Sequence, residues 1–219
     1  MTVIDKRKIL PSLSKDGDGC IILELGCGNR KRHVSAVGID ALDYDCVDIV
    51  GDIFDVLSKF PDSSVSEVYS YHFVEHLSDL NAFMDEMARV LKPGASLNTT
   101  VPHFSNPYFY SDYTHKTFFG LYTFCYFCHG EFFNRQTPTY QKSLKFSIKN
   151  IDLVFKSTRP FYLRHIFKKI LGRLFNISIY TKELYEENFC YLFPCYEVSY
   201  QLIRDDCCMT SRADVLGRV

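Results

Sequence analysis

The sequence has no tryptophan, only 11 glycines and 8 prolines among 219 residues, and no excess of either charge. With 25 Lys and Arg against 26 Asp and Glu, the formal net charge is -1, which argues against a nucleic-acid partner held by bulk electrostatics. There is no internal repeat and no low-complexity segment. No run approaches the roughly 20 apolar residues of a membrane span. The opening "MTVIDKRKILPSLSKDGDG" carries charges but lacks the apolar stretch of a signal peptide. Together these absences lead to the expectation of a cytoplasmic protein. Nine cysteines, an odd count with no export signal, are then expected as free thiols.

What is present is a globular composition, 47% hydrophobic, ample for a real core. Aromatics are plentiful, with 19 Phe and 15 Tyr, most of them after residue 100. That skew suggests a second half that builds a pocket or interface on a plainer first half. Cys125, Cys128 and His129 have the C-x-x-C-H spacing of a haem attachment site. Such attachment normally follows export, and the motif lies in an aromatic, helix-like run, so buried thiols are the better reading. Cys190, Cys195, Cys207 and Cys208 do not form the paired knuckles of a zinc site.

The first half alternates strand-like and helix-like segments. Residues 20–25, 35–40, 46–52, 66–73 and 95–102 read as buried strands. Residues 54–60 offer two helical turns, and 79–91 repeat apolar residues at helical spacing before Lys92-Pro93-Gly94. Alternation of this kind predicts an α/β fold: a doubly wound, Rossmann-like, mostly parallel sheet with helices on both faces. Ligands of such sheets bind beyond the carboxyl ends of the strands. Further on, a helix is expected near 117–128, a hairpin across 131–156, and an amphipathic helix over 160–175 with Leu163, Phe167, Ile170, Leu171 and Leu174 on one face. The expected organisation is an N-terminal extension (1–19), one domain (20–204, divided at 102) with an aromatic-rich C-terminal elaboration, and a loose tail (205–219).

"ILELGCGNRKRHVSAVGID" carries the most chemistry. A strand ending in Gly26-Cys27-Gly28 turns tightly and leaves its backbone bare to a ligand. An acid ending the next strand, Asp40, can accept from a ribose hydroxyl pair. A dinucleotide also needs a pyrophosphate seat on a helix N-terminus, normally with a third glycine. That glycine is missing, and 11 residues between Leu25 and Val37 hardly hold a crossover helix, so a shortened first helix is expected.

The blocks "LELGCGN", "GID", "VGDI", "SYHFVEHL" and "ARVLKPGASL", in this order over residues 20 to about 102, resemble the class I S-adenosylmethionine-dependent methyltransferases. The resemblance implies S-adenosylmethionine as cofactor. It implies that Glu24, Gly26, Cys27, Gly28 and Asn29 line its methionine part. Asp40 would hold the ribose, Ala41 or Leu42 would touch the adenine, and Asp52 with Ile53 would meet the adenine amino group. His72 would sit beside the sulfonium. Glu75 and His76 are expected to start a helix.

A hydroxyl acceptor must lose a proton, and histidine is suited to take it. His72, His103, Asp112 and His115 are the candidates around the acceptor, with His115 or His103 as the base. His103, Asp112 and His115 are sound metal ligands, but no second carboxylate cluster completes a set, so no metal is expected. Residues 102–127 and 188–202 are also similar to a methyltransferase subgroup found with glycan-biosynthesis enzymes. An O-methyltransferase for a small or carbohydrate-linked acceptor, phosphorylated or not, is therefore the leading expectation. Its rivals are a protein or RNA methyltransferase and a non-catalytic nucleoside-binding subunit. From Lys156 to Arg173 there are six Lys or Arg and no acid. That helix could receive a phosphorylated substrate, touch an anionic membrane peripherally, or simply face water. Oligomeric state stays open.

Overall fold

A computed structural model describes residues 2–13, 19–138, 140 and 143–210. Its centre is a nine-stranded sheet. In chain order the strands are β1 (Ile4–Asp5), β2 (Ile21–Leu25), β3 (Val37–Asp40), β4 (Ile49–Val50), β5 (Val65–Tyr71), β6 (Leu91–Pro102), β7 (Cys128–His129), β8 (Ser143–Val154) and β9 (Glu197–Thr210). They lie in the order β1-β4-β3-β2-β5-β6-β9-β8-β7. From β4 to β6 all neighbours are parallel, whereas β9 runs antiparallel to both β6 and β8.

The chain starts at β2, steps outward to β3 and β4, then returns to lay β5 on the other side of β2. That reversal opens a crevice at the carboxyl ends of β2 and β5. The antiparallel β9 begins at the same edge, since Glu197 pairs with both Pro102 of β6 and Val154 of β8. Everything that follows Leu25, Asp40, Val50, Tyr71, Pro102 and Val154, and whatever precedes Glu197, therefore meets on one rim.

Four helices cover the sheet: α1 (Ile53–Leu57), α2 (Leu80–Val90), α3 (Tyr162–Phe175) and α4 (Ile179–Asn188). α2 is capped by Asp79, which accepts from Ala82 N–H at 2.9 Å, and it buries Phe83, Met84, Met87, Ala88 and Val90. Near its end Arg89 donates to the carbonyls of Leu57 and Phe60, so one guanidinium satisfies the last turn of α1. One apolar cluster runs from Leu23 and Leu25 through Phe119 and Phe124 to Tyr200 and Leu202, joining both halves of the chain. The late aromatics supply much of it. Tyr200 is 1% exposed, meets Phe124 edge-on at 4.7 Å, and donates to the Gly120 carbonyl at 2.6 Å. No helix among the described residues is long and apolar enough to cross a membrane.

Several expectations need correction. Residues 117–128 form only a 3-10 turn over Thr123–Phe127 before β7. The reason is local: Glu186 of α4 takes the Leu121 N–H, and the Thr123 hydroxyl takes that of Gly120. Among the described residues no hairpin forms across 131–156. β8 is one long strand whose partners are β9 and the parallel β7. β1 draws part of the N-terminal extension into the sheet, and β9 continues past residue 204 to Thr210. Residues 211–219 of the expected tail lie outside the described residues.

α3 forms, but of its expected apolar face only Leu171 is buried. Leu163 is 84% exposed, and Phe167, Ile170 and Leu174 are about half exposed.

Glu186 ties the aromatic elaboration to the sheet. Its carboxylate accepts from Leu121 N–H at 2.9 Å and faces His103 Nε2 at 3.0 Å. Glu186→Ala leaves the buried Leu121 N–H and the buried His103 Nε2 without this partner. We expect a loss of about 2 kcal/mol of stability, read as a lower denaturation midpoint with an unchanged denaturant slope.

Candidate functional site

The rim is built around a turn that only glycine allows. Gly26 has φ +63°, and a Cβ there would stand 2.5 Å from the ring of Phe73. Gly28 has φ +58°, with open space on its Cβ side. Both sit in the left-handed region, and Gly26 is also closed by packing. After the turn, residues 29–36 form bends and turns with no helix.

That loop is held by two buried acids. Glu24, 2% exposed, accepts the N–H groups of Arg32 (2.9 Å) and His33 (2.7 Å). Asp48, 1% exposed, accepts from Gly38 N–H (2.8 Å) and pairs with Lys31 (2.6 Å). His33 stacks on Tyr69 at 3.6 Å, and the Arg32 guanidinium lies 3.9 Å above the Tyr71 ring. Much of the basic run that the sequence offered as an anion site is thereby engaged within the loop, while Arg30 stays exposed.

The other expected nucleoside contacts stand around this turn. Asp40, ending β3, accepts from Gly28 N–H (2.8 Å) and Leu42 N–H (2.9 Å), each on a different oxygen. Each oxygen keeps a further lone pair for a hydroxyl. Ala41, Leu42 and Asn29 are exposed beside it. Asp52 is exposed and caps α1 through Oδ1, accepting from Phe54 N–H at 2.9 Å, while Ile53 is buried beneath. Cys27 is buried, and burial first, then the charge of Asp40, pushes its thiol up to about 12. It stays protonated and offers the site its backbone. Glu24, which the resemblance placed against the methionine part, spends its carboxylate on the loop backbone.

Past β5, His72 occupies φ +53°, rare for a residue with a side chain. Thr100 O accepts its N–H at 2.9 Å, and its ring lies between two acids: Nε2 is 2.7 Å from Glu197, and Nδ1 is 3.5 Å from Glu75. Burial works against the charged ring, but the bonds and charges of Glu197 and Glu75 outweigh it and push its pKa up to about 9. Lys156 is 2.5 Å from the same Glu197 oxygen. Burial would raise Glu197, yet His72 and Lys156 hold its carboxyl below the usual range. A proton acceptor at neutral pH must be unprotonated, so His72 is a fixed cation here.

The remaining candidates divide. His103 is fully buried, with Nδ1 2.8 Å from Ser105 Oγ and Nε2 3.0 Å from Glu186. Both nitrogens are occupied inside the elaboration, and the expected base role does not fit it. His115 does reach the rim. Its Nδ1 donates to the Phe109 carbonyl at 2.9 Å, which fixes the proton there and leaves Nε2 as the basic atom. Nε2 faces Asp112 at 3.5 Å and Glu75 at 4.0 Å. Asp112 itself is held below the ordinary carboxylate range by hydrogen bonds from Thr114. Glu75 is fully buried, its Oε1 flanked by His72 at 3.5 Å and His115 at 4.0 Å, and with His76 and His115 it forms a cluster of metal-ligand type.

Sequence reasoning missed Glu197, which joins His72 to Lys156, and underrated Glu75. Glu197 lies far along the chain from His72 with no local motif, and only the register of β9 brings them together. Glu75 had a visible signal, an acid directly before His76 and just past a strand end.

Comparison with known proteins adds to this geometry. Residues 23–98 match the family model of a methyltransferase domain. No curated protein matches the sequence. A SAM-dependent methyltransferase from Archaeoglobus fulgidus superposes with a TM-score of 0.50 at 16% identity, over 91% of this chain and 94% of that one. A chain of the Haloferax volcanii complex between the Trm112 methyltransferase activator and a methyltransferase gives 0.51 at 16% identity, over 92% and 89%. A mutant of the 16S rRNA (adenine(1408)-N(1))-methyltransferase of Catenulisporales acidiphilia, solved with cosubstrate SAM, gives 0.50 at 11% identity, over 95% and 99%. The fold is that of these Rossmann-like methyltransferases, and the matched methyltransferase domain supports S-adenosylmethionine as the cofactor.

Because His72 is raised, its stabilising pairing is complete below about pH 6.5 and is lost as pH climbs through about 9. We expect its ring signals to titrate near pH 9 by NMR. In Glu197→Gln the midpoint should fall towards the ordinary histidine range, and an unmoved midpoint would refute the pairing.

Proposed function

We propose that this chain is an S-adenosylmethionine-dependent O-methyltransferase for a small or carbohydrate-linked acceptor. The observation that carries the cofactor assignment is the bare turn at Gly26–Gly28, set against Asp40 on the neighbouring strand end. The fit is chemical. The Gly28 Cβ side is open, Asp40 keeps free lone pairs, and Ala41 and Leu42 offer exposed apolar surface beside the acid. Lack of a pyrophosphate seat disfavours a dinucleotide. When bound, S-adenosylmethionine supplies a methyl group on a positively charged sulfur.

The residues of this chain would then do three things. The turn and Asp40 bind and orient the nucleoside. Alignment of two reactants in this way is worth about 7–11 kcal/mol in well-oriented systems. His115 Nε2 takes the acceptor hydroxyl proton as the new O–CH3 bond forms, and Asp112 and Glu75 favour the resulting imidazolium. His72, held positive by Glu197 and Glu75, fixes the floor between the two substrates. The carbohydrate-linked class rests on the resemblance of residues 102–127 and 188–202 to glycan-associated methyltransferases.

The exposed stripe of α3 supports a peripheral place on an anionic lipid surface. Leu163, Ile166, Ile170 and Leu174 project at helical spacing, and Lys169 and Arg173 follow Ile166 and Ile170 by three residues. A two-fold dimer through the same stripe would set these cations against their own copies. Anionic lipid meets both the charge and the apolar surface.

Three measurements test these readings. Calorimetry should show micromolar S-adenosylmethionine binding, lost in Asp40→Ala and Gly26→Val, with NAD weaker; the reverse preference refutes the assignment. His115→Gln should lower turnover about 100-fold or more while leaving cofactor affinity intact. For the surface, the protein should co-sediment with phosphatidylglycerol vesicles and not with phosphatidylcholine, and Ile166→Ser with Ile170→Ser should release it. A dimer abolished by the same substitutions would replace the lipid reading.

A further inference from the structure

Beneath α3 lies a cavity of about 400 Å³ that touches the segments after β6, after β8 and before β9. Its walls are largely apolar, with Tyr108, Phe167, Leu171, Phe193 and Tyr196 among them. The charged side chains in its lining are all cations: Lys156, Arg164 and Lys168.

Two of these cations lack an acid. Arg164 donates to Ser157 Oγ at 2.9 Å and lies 4.5 Å from the Phe161 ring centroid. Lys168 donates to the Pro194 carbonyl at 2.8 Å. Among the described residues neither has a carboxylate within ion-pair distance. Burial first, then the neighbouring Arg164, holds Lys168 below the ordinary lysine range. Arg164 at the exposed mouth and the partly buried Lys168 stand side by side against apolar walls, so an anion bound there would meet two cations that no acid has taken. The third, Lys156, lies 4.5 Å from the Tyr196 ring centroid and shares Glu197 with His72, so the cavity adjoins the rim where transfer would occur.

We propose that this cavity binds a phosphate or diphosphate group of the acceptor, with Arg164 and Lys168 holding its oxygens and Lys156 completing the charge. The guanidinium fork suits two phosphate oxygens at once, and the ammonium groups act as point charges beside it. The apolar and aromatic walls accommodate the organic part joined to the phosphate. This site deepens the methyltransferase reading, because it specifies an anionic acceptor whose charged end is anchored away from the hydroxyl to be methylated. The same phosphate chemistry could arrive on a soluble sugar phosphate or on a lipid headgroup.

Calorimetry on the full chain with inorganic pyrophosphate, glucose 1-phosphate and the soluble dihexanoyl phosphatidic acid tests the site and separates its sources. Pyrophosphate should bind and be weakened at least tenfold in the Arg164→Gln, Lys168→Gln double variant, whose S-adenosylmethionine affinity stays unchanged. If the double variant loses its fold, the exposed Arg164→Gln alone should still weaken binding. Tighter binding of glucose 1-phosphate assigns a soluble acceptor, and tighter binding of the phosphatidic acid assigns a lipid-linked one. No binding by any probe, or equal binding by wild type and variants, overturns the site. Pyrophosphate binding without any S-adenosylmethionine binding leaves the anion site standing and removes the methyl-transfer reading.

Discussion

A buried carboxylate stands where the fold would otherwise place a helix. Glu24 accepts the N–H groups of Arg32 and His33 and so fixes a loop that could not organise itself from so few residues. Removing an ion from water costs several kcal/mol, and charge-assisted hydrogen bonds of roughly 1.5–3 kcal/mol each offset it. The arrangement holds only while both donors stay in place. It therefore makes the loop rigid and leaves the preceding glycine turn presented to the crevice. Asp40 does the same from the neighbouring strand, tying Gly28 to Leu42. The proposed nucleoside edge is thus prepared by acids that bind the protein's own backbone, and Asp40 keeps lone pairs to spare.

The second constraint joins the two halves of the chain. β9 returns antiparallel and delivers Glu197 to the rim, where it meets His72 from β5 and Lys156 from the end of β8. One carboxylate between two cations is better satisfied than any of the three possible pairs alone. This explains how His72 tolerates its left-handed backbone: the ring is held from both sides, and its N–H bonds to Thr100. A charge triad of this kind also makes the edge of the acceptor side responsive to whatever binds next to Lys156.

The sequence made the first half legible because its signals are local. Short apolar runs ended at Leu25 and Asp40, α2 announced itself by periodicity and the Lys92-Pro93-Gly94 stop, and the glycine spacing marked the turn. The second half was misread where long-range pairing overrode local pattern. Leu121 lies in a stretch with helical composition, yet its N–H belongs to Glu186, so the helix expected at 117–128 collapsed to a single turn. His103 looked catalytic from its place after β6, and only burial by the elaboration showed both its nitrogens engaged. His115 and Asp112 were visible three residues apart, whereas Glu75 and Glu197 gained meaning only once strands had brought them together. The α3 stripe has the clean amphipathic spacing of a packed helix. Periodicity shows that an apolar face exists and is silent on what covers it.

That silence bears on how the two ends of the molecule cooperate. Residues facing inward from α3, Arg164, Lys168 and Leu171, line the cavity, while Leu163, Ile166 and Ile170 on the same helix face outward. One helix therefore presents cations to the recess and hydrocarbon to the surroundings. An acceptor whose charged group enters beneath α3 would approach the rim from the same side on which the apolar stripe would meet the proposed lipid surface. Burying the stripe would raise the local concentration of acceptors held at that surface without any change in the recess itself. Conversely, filling the recess neutralises charge beneath α3 and would weaken attraction to anionic lipid. The two proposed roles of the helix would thereby be coupled through charge, since both draw on the same short basic segment between Lys156 and Arg173.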